Sequence, residues 1–338
     1  MTEPHPSQPV DPTAPPATTR QGATTRRSLL LAGSAVAVGL SGAGAAVNRP
    51  GPAAASAGPV AVGRPPHADG GPVHPQVLAI EQAHGRRIGV VAHHLGSGRT
   101  LVHRPDERFA MCSTFKTLAV GAVLAGHLTS PDRRILERPA HWPPSLVAGS
   151  GYAVRMEEWQ RRGYVPRVAE VCEAAVAESD NAAGNLLLGL VGGPAAVGEL
   201  ARSVGDRITT LTRWEPDLND WEPGSAVDTT TPRAAAHTHG ALLLGPTLRP
   251  RERARLLGWL RSSTTGRAAL RAGLPRGWTI AEKTGSGDYG TRNDVGVAWT
   301  PDGSPVVIAC LTRAEQPGAP TSDAPLADVG RLCARLLG

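Results

Sequence analysis

Lysine is almost missing from this 338-residue chain. It occurs twice, at Lys116 and Lys283, among 35 lysines and arginines. An arginine stays protonated, whereas a lysine can be desolvated, lowered in pKa and used to accept a proton. Proton-accepting amines are therefore confined to two positions. Aromatic residues are also scarce, at 4 %, and no Lys/Arg-rich block or basic–aromatic stripe occurs, so the net charge of +6 is not the footprint of a nucleic-acid binder. Of the four cysteines, Cys172, Cys310 and Cys333 sit in apolar patterns that read as buried free thiols, with a Cys310–Cys333 pair as the alternative. Cys112 adjoins Ser113, but nothing at its flanks resembles a thiol-enzyme motif. The pairs His93-His94 and His237-Thr238-His239 lack Cys or acidic neighbours at ligand spacing, so neither a metal nor another cofactor is expected. The apolar run Leu29–Leu40 falls far short of the ~18 residues that span a bilayer.

That run has a different use. Arg26-Arg27-Ser28 stands before it, the mark of twin-arginine export, with small-residue cleavage candidates at Ala43-Gly44-Ala45 and Ala55-Ser56-Ala57. Residues 1–57 are thus expected to be an export signal and leader, and 58–72 a flexible linker rich in Pro, Gly and Ala. The product is expected outside the cytoplasm, secreted or periplasmic, without a membrane anchor and by default monomeric. Residues 73–338 are long enough for a sizeable core.

Within them, His74–Gly85 reads as a helix, and Ile88–Leu95 and Arg99–His103 as strands joined at Gly96-Ser97-Gly98. Helical periodicity dominates the middle, in Ser113–Leu124, Val168–Glu178, Ala182–Leu190, Pro194–Val204, Pro232–Leu244 and Arg251–Leu260. Strand patterns return at Trp278–Lys283, Asp294–Thr300 and Val306–Thr312, before a last helix at Ala327–Leu337. Strands at both ends around a helical middle predict one sheet built from the two termini. The α/β lobe would comprise about 73–110 and 262–338, the inserted all-α lobe about 111–261, with a small-molecule site in the cleft.

Four short polar motifs carry chemistry. Ser113 and Lys116 lie a turn apart at a helix start, where a neutral amine can take the hydroxyl proton and unpaired N–H groups favour a developing oxyanion. Ser179-Asp180-Asn181 separates two helices and alone reads as a cap. Lys283-Thr284-Gly285-Ser286-Gly287 ends a strand, and Arg213-Trp214-Glu215-Pro216-Asp217-Leu218-Asn219 occupies an aperiodic stretch. In this order the set resembles the class A serine β-lactamases, from about residue 74 to the C-terminus. The Glu215-x-x-Leu218-Asn219 element resembles that family's Ω-loop signature, which separates it from transpeptidases and carboxypeptidases. The Ser113–Ser179 interval is several residues too long, and the excess falls within His141–Tyr164.

The resemblance implies an antiparallel sheet flanked by helices, an α/β fold of the α+β sandwich type. It implies hydrolysis of the amide of penicillins and cephalosporins. Ser113 would be the acylated nucleophile, Lys116 its deprotonating partner, Ser179 the proton relay to the lactam nitrogen, and Glu215 the activator of the deacylating water, helped by Asn219. Asn181 would bind the acyl side-chain amide. Lys283, Thr284, Ser286 and Arg292 would bind the substrate carboxylate, with Lys283 staying charged. The N–H groups of Ser113 and Ser286 would form the oxyanion hole. Arg213 and Asp228 resemble the pair that closes the Ω loop, and Tyr152 is the candidate for the aromatic gate, with Tyr164 and Trp159 as alternatives. Gly287 stands where some carbapenem-hydrolysing relatives carry a cysteine, so their cross-link to the cysteine before the nucleophile is not expected. A penicillin-binding carboxypeptidase and a non-catalytic β-lactam sensor are the competing readings.

Overall fold

The computed structural model describes residues 71–338 apart from Leu128 and Pro131. The expected export signal at 1–57 and nearly all of the linker at 58–72 lie outside the described residues. Helix α1 (Pro75–His84) starts with proline at its first turn and stops at Gly85, whose φ of 60° suits glycine. Strands β1 (Arg87–His94) and β2 (Thr100–His103) form the expected hairpin. The short β3 (Phe109–Ala110) leads through a tight turn at Cys112–Thr114 into α2 (Phe115–Ala125). Next come α3 (Pro144–Gly149), α4 (Val154–Arg162), α5 (Val168–Ala177), α6 (Asn181–Leu190) and α7 (Ala195–Ser203). Strand β4 (Thr229–Thr230) pairs with β3 and precedes α8 (Pro232–Leu243), α9 (Pro250–Arg261) and α10 (Leu270–Gly273). Strands β5 (Thr279–Gly287), β6 (Thr291–Trp299) and β7 (Pro305–Arg313) precede the last helix, α11 (Ala324–Leu337).

The two ends of this region meet in one antiparallel sheet of order β2-β1-β7-β6-β5. Its central strand explains why the C-terminal strands read as continuous apolar runs. Val306, Ile308 and Cys310 of β7 pack with Val77, Leu326 and Val329 of α1 and α11, while Val307, Ala309 and Leu311 join the core shared with the helices. A strand buried on both faces has no polar side to display. Helix α2 is enclosed in the same way. Every residue from Phe115 to Leu124 is buried, among α5, α6, α7, α8 and α9, as expected of a helix apolar all round. Lys116 is therefore the one charge in the helix at the centre of the helical region.

Three features depart from the sequence reading. Strand β5 runs on past Lys283 to Gly287, because Thr284–Gly287 pair with Thr291–Asp294 at the start of β6. Two helices, α3 and α4, occupy the stretch His141–Tyr164. Helix α4 buries only Met156 and is held by polar contacts, Arg155 to Glu178 at 2.6 Å and the N–H groups of Arg155 and Met156 to Asp180. The third is the pair of two-residue strands β3 and β4, which no sequence pattern announced. All four cysteines are buried and free, as read for Cys172, Cys310 and Cys333, and the alternative Cys310–Cys333 pair is not formed.

Candidate active site

The turn before α2 sets Ser113 and Lys116 on one face, and the lysine Nζ donates to Ser113 Oγ at 2.9 Å. The hydroxyl in turn donates to Glu215 Oε1 at 3.1 Å, and the same oxygen lies 3.0 Å from Lys116 Nζ. Lys116 also reaches Ser179 O at 2.8 Å and Asn181 Oδ1 at 2.6 Å. Four acceptors thus surround a group with three N–H bonds. As a neutral amine it would donate to two of them and accept the Ser113 proton. Burial lowers the Lys116 pKa, and the Glu215 carboxylate opposes that shift. Gly184 of α6 makes room for the lysine stem, since a Cβ there would lie 2.8 Å from Cε.

Ser179 stands between the two lysines. Its φ of 62° is unusual for a non-glycine residue. Its carbonyl accepts from Lys116, while its hydroxyl accepts from Lys283 Nζ at 2.9 Å. Asp180 beside it is the N-cap of α6, accepting from Ala183 N at 2.9 Å, so the motif is a cap as well as a wall of the site. Lys283 has two acceptors, Ser179 Oγ and Thr284 O, and no ion pair among the described residues. Burial first, then the charges of Lys116 and Arg292, push its pKa well below the ordinary value. Burial thus works against the expectation that Lys283 stays charged, and an incoming carboxylate would favour the ammonium.

The edge of β5 runs beside the nucleophile turn. A Cβ on Gly285 would lie 2.9 Å from Met111 O and 3.3 Å from Ser113 N, so any side chain would part the two segments. Thr284 Oγ1 lies 2.7 Å from Thr265 Oγ1. Arg292 reaches across the β5–β6 register to Ser286 Oγ at 3.0 Å, anchored by Asp323 at 2.7 Å and Thr265 O at 2.8 Å. Burial and Glu215 raise the Cys112 thiol pKa, so this cysteine stays protonated and is no competing nucleophile. Gly287 lies against its Sγ and offers nothing to bond with it.

Glu215 comes from a loop closed at its base by Arg213 Nε to Asp228 Oδ2, 2.6 Å. Asn219 Nδ2 donates to Glu215 Oε2 at 2.5 Å. The loop therefore delivers a carboxylate to the nucleophile, and its Asn219 carbonyl accepts from Asp288 N at 3.1 Å, just past the end of β5. This serine–lysine–carboxylate triangle, between a helical region and the edge of an antiparallel sheet, occurs in a chain whose residues 72–337 match the model of the β-lactamase enzyme family.

The chain belongs to the β-lactamase enzyme family. It is similar to the β-lactamase of Streptomyces lavendulae, 47 % identical over 78 % of this chain and 86 % of that protein. The β-lactamase of Streptomyces fradiae is 45 % identical over 78 % and 86 %. Among solved structures, the β-lactamase from Streptomyces albus G matches with a TM-score of 0.74 at 44 % identity, covering 78 % of this chain and 98 % of that one.

In this β-lactamase one residue absent from the motif reading does much of the positioning. Asn185 of α6 accepts from Glu215 N at 3.0 Å, and its Nδ2 donates to Glu215 O at 2.8 Å and to Ser150 Oγ at 3.0 Å. It lies one turn beyond Asn181 on the same helix face, and two asparagines four apart in an apolar helix were the available signal. Asn181 is itself engaged, through Oδ1 with Lys116 and through Nδ2 with Ser150 O at 2.9 Å. One Nδ2 hydrogen remains for an outside acceptor. Tyr152, 55 % exposed, has its carbonyl on Asn181 N at 2.7 Å. Trp159 and Tyr164 pair with each other at 6.0 Å, and Tyr164 is held by Glu170, so neither shares that attachment. His94 caps its hairpin and His237 and His239 bond helical carbonyls. Among the described residues no group of His, Cys, Asp and Glu is placed to hold a metal.

Proposed function

We propose that this chain is an exported, monomeric class A serine β-lactamase (EC 3.5.2.6) that opens the amide of penicillins and cephalosporins through an acyl-enzyme. The observation carrying this reading is Glu215 Oε1, 3.1 Å from Ser113 Oγ and 3.0 Å from Lys116 Nζ. Ser113 Oγ attacks the lactam carbonyl carbon while its proton passes to Lys116, directly or with Glu215 acting through water. The carbonyl oxygen, now negative, is met by the N–H groups of Ser113 and Ser286, each donor typically worth ~3 kcal/mol in such steps. The C–N bond then breaks, and Ser179 hands its proton to the nitrogen, replaced by the one Lys116 took from Ser113. Glu215 next takes a proton from water, held with the help of Asn219, that oxygen attacks the ester carbonyl, and the bond to Ser113 Oγ breaks as the proton on Glu215 returns to the hydroxyl.

The substrate carboxylate is assigned to Lys283, Thr284, Ser286 and Arg292, and the acyl side-chain amide to the remaining Nδ2 hydrogen of Asn181. A carboxypeptidase or sensor that retains its acyl group has no use for a carboxylate beside the nucleophile. Steady-state turnover of a chromogenic cephalosporin and of benzylpenicillin by the purified protein tests the reading. Continuing hydrolysis of both is expected, and a single stoichiometric burst with each would refute it.

A further inference from the structure

A second chamber is lined by none of the residues assigned to the site above, although its Trp221 packs with Ala110 and Cys112 beside the nucleophile turn. It has a volume of about 530 Å³, within the range of small-molecule sites. Four guanidinium groups line it, those of Arg87, Arg104, Arg108 and Arg313, against two carboxylates, Asp106 and Glu107. Three of the four guanidinium groups are already paired, Arg104 with Glu81 at 2.8 Å and Arg313 with Glu315 at 3.1 Å, both carboxylates outside the lining, and Arg87 with Glu107. Glu107 is bound by Arg87 at 2.7 Å and approached by Arg313 at 3.7 Å. Asp106 is held by Arg233 at 2.8 Å, a residue outside the lining.

Arg108 is the exception among the four. It donates through Nη1 alone, to Ile208 O at 3.2 Å and Thr229 Oγ1 at 2.9 Å, both neutral. No carboxylate among the described residues forms an ion pair with it. Its remaining fork of N–H donors has the geometry that matches a carboxylate or phosphate. Trp221 forms an apolar wall, because its Nε1 is engaged by Ser225 O at 3.1 Å and the Arg313 guanidinium lies 6.0 Å from its ring.

We propose that this chamber binds a small polyanion bearing carboxylate or phosphate groups, with Arg108 as its principal partner. Trp221 and Ser225 sit on the return limb of the loop that carries Glu215, and Arg108 flanks β3 shortly before Ser113. A bound anion would therefore tie the loop's return limb to the strand leading into the nucleophile turn. Ligand bound only to the folded state raises the unfolding temperature as its concentration rises.

The test is calorimetric titration of citrate, and separately of pyrophosphate, into the purified enzyme at constant ionic strength. One saturable site is expected for at least one of them, and the tighter ligand identifies carboxylate or phosphate as the preferred chemistry. Arg108→Gln should weaken binding about tenfold or more, the usual scale for losing a charge-assisted hydrogen bond. Since Arg108 also braces Thr229, Ser225→Glu is the second variant. It places a negative charge at the chamber and should weaken binding comparably while leaving β-lactam turnover intact. Arg292→Ala, at the proposed substrate-carboxylate subsite, should leave binding unchanged. Absence of saturation with both ligands, retention of full affinity in both chamber variants, or loss of binding in Arg292→Ala would each overturn the proposal.

Discussion

Lys116 and Lys283 are both fully buried, and they differ in the company of Glu215. Lys116 has a carboxylate 3.0 Å away, whereas Lys283 has only Ser179 Oγ and Thr284 O. Replacing Lys116 by arginine removes the group able to become neutral, so Lys116→Arg should lose acylation. Lys283→Arg should raise KM and keep measurable turnover, and equal loss in both would contradict the division of roles. A pH dependence follows from the depressed Lys283 pKa. As pH rises, the free enzyme loses this proton below the ordinary value of 10.5, and attraction for the substrate carboxylate is lost with it. The ratio kcat/KM should therefore fall on the alkaline side before kcat does, because bound carboxylate favours the ammonium. Coincident limbs in the two profiles would contradict this. At this scale Ser113, Lys116, Ser179, Glu215 and Lys283 were legible because each stands in a short polar motif. Asn185 was not, since its partners, the Glu215 main chain and the Ser150 hydroxyl, both lie in segments distant in sequence.

At the scale of elements, the loop bearing Glu215 is held by Asn185, by the Arg213–Asp228 pair and by the bond from Asp288 N to Asn219 O. Asn185→Ala should cost about 1–3 kcal/mol, the penalty for leaving buried peptide groups unpaired. Deacylation should slow with it, read as a lower kcat and a lower unfolding midpoint together. An unchanged midpoint with lost activity would mean that Asn185 acts otherwise. A second element-scale prediction concerns the pairing of β5 with β6. Glu282 and Asp294 are both buried there, with Arg271 2.8 Å from Glu282. Burial raises both pKa values, and Asp294 raises that of Glu282 further, against the pull of Arg271; Arg292 and Lys283 pull Asp294 down. The folded state then binds more protons than the unfolded one above the ordinary carboxylate range. Stability should fall as pH rises from there, with the full contribution present only in acid. Glu282→Gln should flatten that fall, measured as unfolding midpoint against pH, and an unaltered slope would refute this assignment to Glu282 and Asp294. Long apolar elements such as α2 and β7 were legible from periodicity. Helix α4 was not, because only Met156 is buried and ion pairs do the holding, and the paired residues of β3 and β4 are too short to carry a pattern.

For the whole molecule, the layout of strands at both ends around a helical middle was readable because sheet-forming runs and helical periods segregate along the chain. The proposal of export rests only on the motif Arg26-Arg27 ahead of an apolar run. If that proposal holds, Arg26→Lys combined with Arg27→Lys leaves precursor in the cytoplasm, and undiminished secretion contradicts it. The central claim is that Glu215 drives the second half of the reaction, removing the acyl group from Ser113. Its most direct measurement is the mass of the Ser113 peptide after Glu215→Ala enzyme meets benzylpenicillin. The account predicts a persistent increase equal to the mass of the penicillin. An unmodified peptide with turnover as fast as the parent enzyme would contradict it.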